Sequence, residues 1–144
     1  MNTILVPVDF SDATPRVIAT ARQFAEAFAS RIVLLHVAEP EPEFVGFEPG
    51  PMSVRMAVAG DFRHEHQRLD ELKKSLVGIE VLALQVQGPA ADTIVEESVR
   101  QGANLIVMGS HGHGALYHLL VGSATTGVLK AAVCPVLIVP SARV

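Results

Sequence analysis

Five short apolar runs, separated by amphipathic stretches of helical period, narrow the possible folds of this chain more than any other feature. Thr3-Ile4-Leu5-Val6-Pro7-Val8 is the first run and Ile32-Val33-Leu34-Leu35-His36-Val37 the second. The third covers 79–86 and admits Glu80 and Gln85, the fourth is Asn104-Leu105-Ile106-Val107-Met108, and the fifth is Val136-Leu137-Ile138-Val139. Runs one, two and four are almost wholly apolar, as strands covered on both faces must be. The third run is more polar and the fifth lies between Pro135 and Pro140, which marks both as edge strands.

The intervening stretches read as helices. Thr14-Pro15 forms an N-cap and N1 pair. After it, Val17, Ile18, Ala21, Phe24, Ala25 and Phe28 repeat on one helical face. A longer helix is expected over 54–77, with Val58, Phe62, Leu69, Leu72 and Leu76 inward. Pro89 opens a third, with Ala91, Ile94, Val95 and Val99 inward and Gly102 as its C-cap. Ser123 caps a fourth, with Ala124, Val128, Leu129 and Ala132 inward. Strand and helix therefore alternate through the whole chain. That order specifies one α/β domain spanning 1–144, a doubly wound five-stranded parallel sheet with right-handed crossovers and helices on both faces. The one long irregular stretch, 38–51, is rich in Glu and Pro and reads either as an acidic insertion or as a lid over a ligand.

Composition excludes several partners. The chain has 144 residues, 49% of them hydrophobic and 18% charged, with a net charge of −4, which suits a packed core and leaves no basic face for nucleic acid or an anionic membrane. The apolar stretch 119–140 is interrupted by Gly122, Lys130 and Pro135 and changes from helical to strand pattern midway, so a spanning helix is not expected. Cys134 is the only cysteine, so no internal disulfide forms, and its apolar setting reads as a small packed side chain. A reducing, cytoplasmic setting follows as the expectation, and the opening residues lack the pattern of a secretion signal.

In open parallel sheets ligands bind at the carboxyl ends of the strands where the strand order reverses. Two chemically unusual loops fall at such ends: Pro7-Val8-Asp9-Phe10-Ser11 after the first run and Gly109-Ser110-His111-Gly112-His113-Gly114 after the fourth. The second leads to Gly122-Ser123 and a helix. Glycines allow a phosphate to approach the backbone, and a helix start offers free N–H groups and a positive dipole end. The spacing differs from a P-loop, since no Gly-Lys-Ser/Thr follows, and from a dinucleotide fingerprint. The third run ends in Gly88 without the Asp of a phosphoacceptor receiver domain.

These residues resemble the universal stress protein family. The likeness is carried by Ile4-Leu5-Val6-Pro7-Val8-Asp9, by Leu34-Leu35-His36-Val37, by Cys134-Pro135-Val136-Leu137-Ile138-Val139, and above all by Met108-Gly109-Ser110-His111-Gly112, nine residues, then Gly122-Ser123. The spaced glycine motif is the one found in family members that bind ATP. The resemblance implies the strand order 3-2-1-4-5 and a homodimer paired through the last strand, Val136–Val139. It implies ATP, with ADP or AMP as alternatives, and Mg2+ held through the phosphates. Pro7, Val8, Asp9, Val37 and Met108 would frame the adenine and ribose. Gly109, His111, Gly112, Gly122, Ser123, Ala124 and Thr125 would hold the ribose-phosphate end. Asp9 suits ribose hydroxyls or a base amino group, with capping of the turn that follows it as the alternative.

No Lys or Arg occurs over 101–129, so phosphate charge falls to backbone N–H groups, hydroxyls, magnesium and histidines. An unperturbed histidine titrates near ~6.5, so protonation of His111 or His113 is expected to strengthen nucleotide binding as pH falls from about 8 to 6. His36 reads as a hydrogen-bonded core residue, and His64 and His66 as solvent-exposed. Neither a Cys pair nor a helical His-x-x-x-His spacing points to zinc. Three functions stay open: a dimeric nucleotide-responsive regulator of stress response, a slow ATPase or nucleotidyl-transfer enzyme, and a nucleotide-free adaptor or chaperone-like dimer.

Overall fold

The computed structural model describes residues 2–38, 52–110 and 122–141, and of 52–62 the backbone alone. The elements run β1 (Thr3–Pro7), α1 (Thr14–Ala27), β2 (Arg31–Ala38), α2 (Met52–Ser75), β3 (Val81–Gln87), α3 (Ala90–Arg100), β4 (Leu105–Gly109), α4 (Ser123–Ala131) and β5 (Val136–Val139). Each apolar run thus becomes a strand. All five join one parallel sheet in the order β3-β2-β1-β4-β5, with the two more polar or proline-flanked strands at its edges. β1 lies at the centre, Ile4 standing beside Ile32 on one side and Leu105 on the other.

Strand alternation splits the apolar side chains into two cores. Ile4, Val6, Ile32, Leu34 and Val107 face Val17, Ala21 and Ala25 of α1 and Leu69 of α2. Leu5, Val33, Leu35, Ile106 and Met108 face Ile94 of α3 and Val128 of α4. Burying one such side chain is worth roughly 1.5–3 kcal/mol, against about 0.3–0.5 kcal/mol for an exposed helical pair such as Arg22–Glu26. The two cores therefore dominate the stability of the fold, and surface charge pairs tune it.

Helix boundaries and faces depart from expectation in informative places. Thr14 is not the cap of α1; Ala13 is, and Thr14 lies in the first turn with its hydroxyl buried and unpaired. The Thr14 amide already donates to Ser11 O at 3.0 Å, so the preceding turn winds into the helix one residue early. Likewise Gly122 is the N-cap of α4 and Ser123 its exposed first residue, with no side-chain capping bond. The second helix runs Met52–Ser75 rather than 54–77. Within it Leu69 and Leu76 (just past its end) are buried as expected, while the side chains of Val58 and Phe62 lie outside the described residues.

Three residues expected inward are exposed: Phe28 at 59%, Val99 at 60% and Leu129 at 50%. Phe28 is the C-cap of α1, where the chain leaves the helical path. In α3 the covered stripe is Thr93, Ile94, Glu97 and Ser98, because this helix packs on α4 as well as on the sheet. Glu97 and Ser98 find their partners within α3 and its cap. Ser98 Oγ donates to Val95 O at 2.7 Å, and the Glu97 carboxylate takes the Arg100 guanidinium and the Gln101 amide. Gly102 ends α3 as the residue after the C-cap. With φ of +64°, it lets Gly102 N donate to Val99 O and Ala103 N to Ser98 O, a complete Schellman closure.

Candidate functional site

From the centre of the sheet, β1 connects outward to β2 and β4 connects outward to β5 in the opposite direction. The carboxyl ends of these two neighbours therefore part, and a crevice opens between their loops.

The first wall is the turn after β1. Val8 extends the ladder, its N–H donating to Leu35 O at 2.8 Å. Asp9 Oδ1 accepts the Ser11 N–H at 3.0 Å, so the carboxylate does cap its own turn. Phe10 then adopts φ of 60°, left-handed for a residue with a side chain, at a cost of about 1–2 kcal/mol. Contacts from below hold it there. The Arg68 guanidinium lies 4.5 Å from the centroid of the Phe10 ring and donates to Phe10 O at 3.3 Å. The His36 ring sits 4.7 Å from the same phenyl ring.

The second wall joins β4 to α4. Ser110 N donates to Val139 O at 3.1 Å and Gly122 N donates to Ser110 O at 2.8 Å. Thr125 Oγ1 donates to Gly109 O at 2.9 Å. The two ends of the glycine segment are thus stapled together, with the N-terminal dipole end of α4 at the junction.

Between the walls lies a cleft of about 610 Å³ including its open mouth. Of the residues expected at a ligand site, Pro7, Val8 and Asp9 line it from the first wall, and Val37, Met108 and Gly109 from the strand ends. Ala124 and Thr125 line it from α4. Gly122 and Ser123 stand at the helix start, outside the lining. His111 and Gly112 lie outside the described residues, as do His113, Tyr117, His118 and the stretch 39–51.

The structure adds Ser11, Ala13, Thr14 and Val17 from the first turn and α1, Leu35 from β2, and Ala90 and Ile94 from α3. Leu35 was legible in principle, since strand alternation sets it on the face of Val37. Ile94 and Val17 read from the sequence as core, and each serves as both core and cleft wall. Asp9 is the one ionisable side chain among the described lining residues. The cleft is thus an apolar slot with a carboxylate at one lip and backbone amides and hydroxyls at the other. Such a slot suits a flat apolar ring carrying hydroxyls and an anionic tail.

The family model for the universal stress protein family matches residues 1–140. The chain belongs to this family. A universal stress protein of Thermus aquaticus is 34% identical over 140 residues, covering 96% of this chain and 98% of its own. The solved structure of a Methanocaldococcus jannaschii universal stress protein superposes with a TM-score of 0.85 at 29% identity, covering 99% of this chain and 98% of that one. Two further family structures share the fold at 22% and 20% identity, with TM-scores of 0.67 and 0.63. The first, a complex with cAMP, matches 98% of both chains; the second, from Archaeoglobus fulgidus with dAMP, matches 96% of this chain and 97% of its own. Among the described residues no helix is long and apolar enough to cross a membrane.

Proposed function

We propose that this universal stress protein binds an adenine nucleotide, ATP foremost, and acts as a cytoplasmic, dimeric, nucleotide-responsive regulator. The observation that carries the reading is the junction of Gly109, Gly122 and Thr125 at the mouth of an apolar cleft whose other lip is Asp9. In this reading Met108, Val37 and Leu35 offer apolar wall to the base, and Asp9 accepts from ribose hydroxyls while keeping the Ser11 amide. The N-terminus of α4 and the glycine backbone face the phosphates. Adenine mononucleotides in two family structures support the ligand class.

Magnesium enters with the phosphates. The described residues hold no cluster of three His, Cys, Asp or Glu fit to bind a metal by themselves. The hydroxyls and single carboxylate at the cleft suit an ion that brings phosphate oxygens as most of its ligands. Dimerisation through β5 draws support from its position at the sheet edge.

The decisive experiment is to denature freshly purified protein and identify any small molecule it releases, alongside calorimetric titration with magnesium-ATP, ADP and AMP at pH 6 and pH 8. Released adenine nucleotide, or saturable binding lost in Gly122→Val, supports the reading. Empty protein without binding heat at either pH turns it toward the adaptor function.

A further inference from the structure

His36 does not line the cleft, yet it holds the cleft's first wall in place. The residue is 6% exposed and lies on the sheet face covered by α1 and α2. Nδ1 lies 2.9 Å from Val8 O and Nε2 lies 2.9 Å from Glu65 Oε2. A carbonyl oxygen can only accept, so Nδ1 carries a proton and donates to Val8. A carboxylate likewise only accepts, so the contact at Nε2 is a hydrogen bond when a proton lies between that nitrogen and Glu65. The Val8 carbonyl belongs to the peptide that leads into Asp9, and Phe10 beyond it is in a left-handed conformation against the same imidazole.

We infer that the Glu65–His36–Val8 chain of hydrogen bonds is a positioning device: it transmits the placement of α2 to Asp9 and so sets the geometry of the nucleotide lip. The inference rests on the proposed nucleotide site for its consequence in binding, and on the apo protein for its consequence in the loop. The Nδ1 bond to Val8 is the part that matters for Asp9. The Nε2 bond to Glu65 orients the ring that makes it.

Two substitutions separate the halves of the device. An asparagine amide nitrogen can stand where Nδ1 stands, and a glutamine amide nitrogen where Nε2 stands. His36→Asn therefore keeps the donor to Val8, and His36→Gln keeps the partner of Glu65. The readouts are amide exchange at Ser11, whose N–H is held by Asp9, exchange at Ala21 in the buried face of α1, and magnesium-ATP affinity by calorimetry.

In His36→Gln, Ser11 is expected to exchange about tenfold faster, the equivalent of one lost hydrogen bond, with Ala21 following global stability alone. ATP affinity falls by a similar factor, and His36→Asn, which keeps the Val8 bond but loses the Glu65 one, falls between the parent and His36→Gln on both measures. Equal Ser11 exchange in the two variants, or Ser11 and Ala21 rising together, overturns the inference. If the parent binds no nucleotide, the functional reading fails while the Ser11 comparison still decides the positioning role. Should His36→Gln not fold, Glu65→Ala replaces it: faster exchange at Ser11 supports the device, and unchanged exchange overturns it.

Discussion

The hydroxyl of Thr125, in the first turn of α4, donates to the carbonyl oxygen of Gly109, the last residue of β4, across 2.9 Å. Together with the Gly122 N–H bond to Ser110 O, this bond closes the glycine segment at its base. Thr125 is 3% exposed, so its removal leaves the Gly109 carbonyl without this donor in a covered setting. Thr125→Val is expected to cost about 1–3 kcal/mol in urea unfolding and Thr125→Ser about 1 kcal/mol or less. Equal losses for both would show that methyl packing, and not the hydroxyl, holds the junction.

Close approach of α3 and α4 depends on Gly127. A Cβ added there would stand 2.6 Å from the Ala91 Cβ. Helix propensity favours a larger residue by about 1 kcal/mol, but overpacking costs about 1–3 kcal/mol and more for a branched side chain. Gly127→Val should therefore lower stability by roughly 2 kcal/mol or more, and Ala91→Gly in the same chain should restore part of it. Additive losses in the double variant would place the strain elsewhere.

Gly102 follows the C-cap of α3 at φ of +64°. A Cβ there meets no atom within 4 Å, so the penalty of Gly102→Ala is conformational and not steric crowding. It is expected near 1 kcal/mol. Thermal unfolding measures it, and an unchanged midpoint would mean that the Schellman closure tolerates a side chain.

Thr14 carries a buried hydroxyl with no hydrogen-bond partner in α1. Thr14→Val keeps the shape and removes the unpaired group. Its expected effect is a gain of about 1 kcal/mol. A loss of that size instead would reveal a water or ligand atom bonded to Oγ1, which nucleotide titration of the variant would distinguish.

Burial raises the Cys134 thiol above its ordinary value of 9.0. The folded state then keeps its proton where the unfolded chain has lost it. Stability from this group is intact below pH 9.0 and falls as pH rises past that value. Cys134→Ala should flatten the alkaline decline in urea midpoint, and alkylation of the folded parent at neutral pH should be slower than that of the urea-unfolded chain. A decline of the same slope in Cys134→Ala would assign it to other groups.

Much of the fold was legible because periodicity reports burial directly. The near-continuous apolar character of Ile4-Leu5-Val6 and Ile32-Val33-Leu34-Leu35 demands cover on both faces, and the structure supplies it. The polar third run and the proline-bracketed fifth became the edges for the same reason. Helix faces were less legible. Glu97 and Ser98 lie inside and Val99 outside, because a second helix covers α3 while Val95, Arg100 and Gln101 of α3 and its cap satisfy the covered polar groups, which no single-helix pattern reveals. Capping failed at Thr14 and Ser123, since each cap was decided by the turn leading into the helix.

The candidate site divides along the same line. Strand-end position singled out the loops after β1 and β4, and the family resemblance named Pro7, Val8, Asp9, Val37, Met108, Gly109, Ala124 and Thr125, all of which line the cleft. Tertiary structure alone decided that Ile94 is a wall as well as core and that His36 reaches Val8 from 28 positions away. Local sequence sets which side chains must be hidden or must turn. Which of them meet is set by the order in which strands pair, a long-range choice made by the packing of the whole sheet.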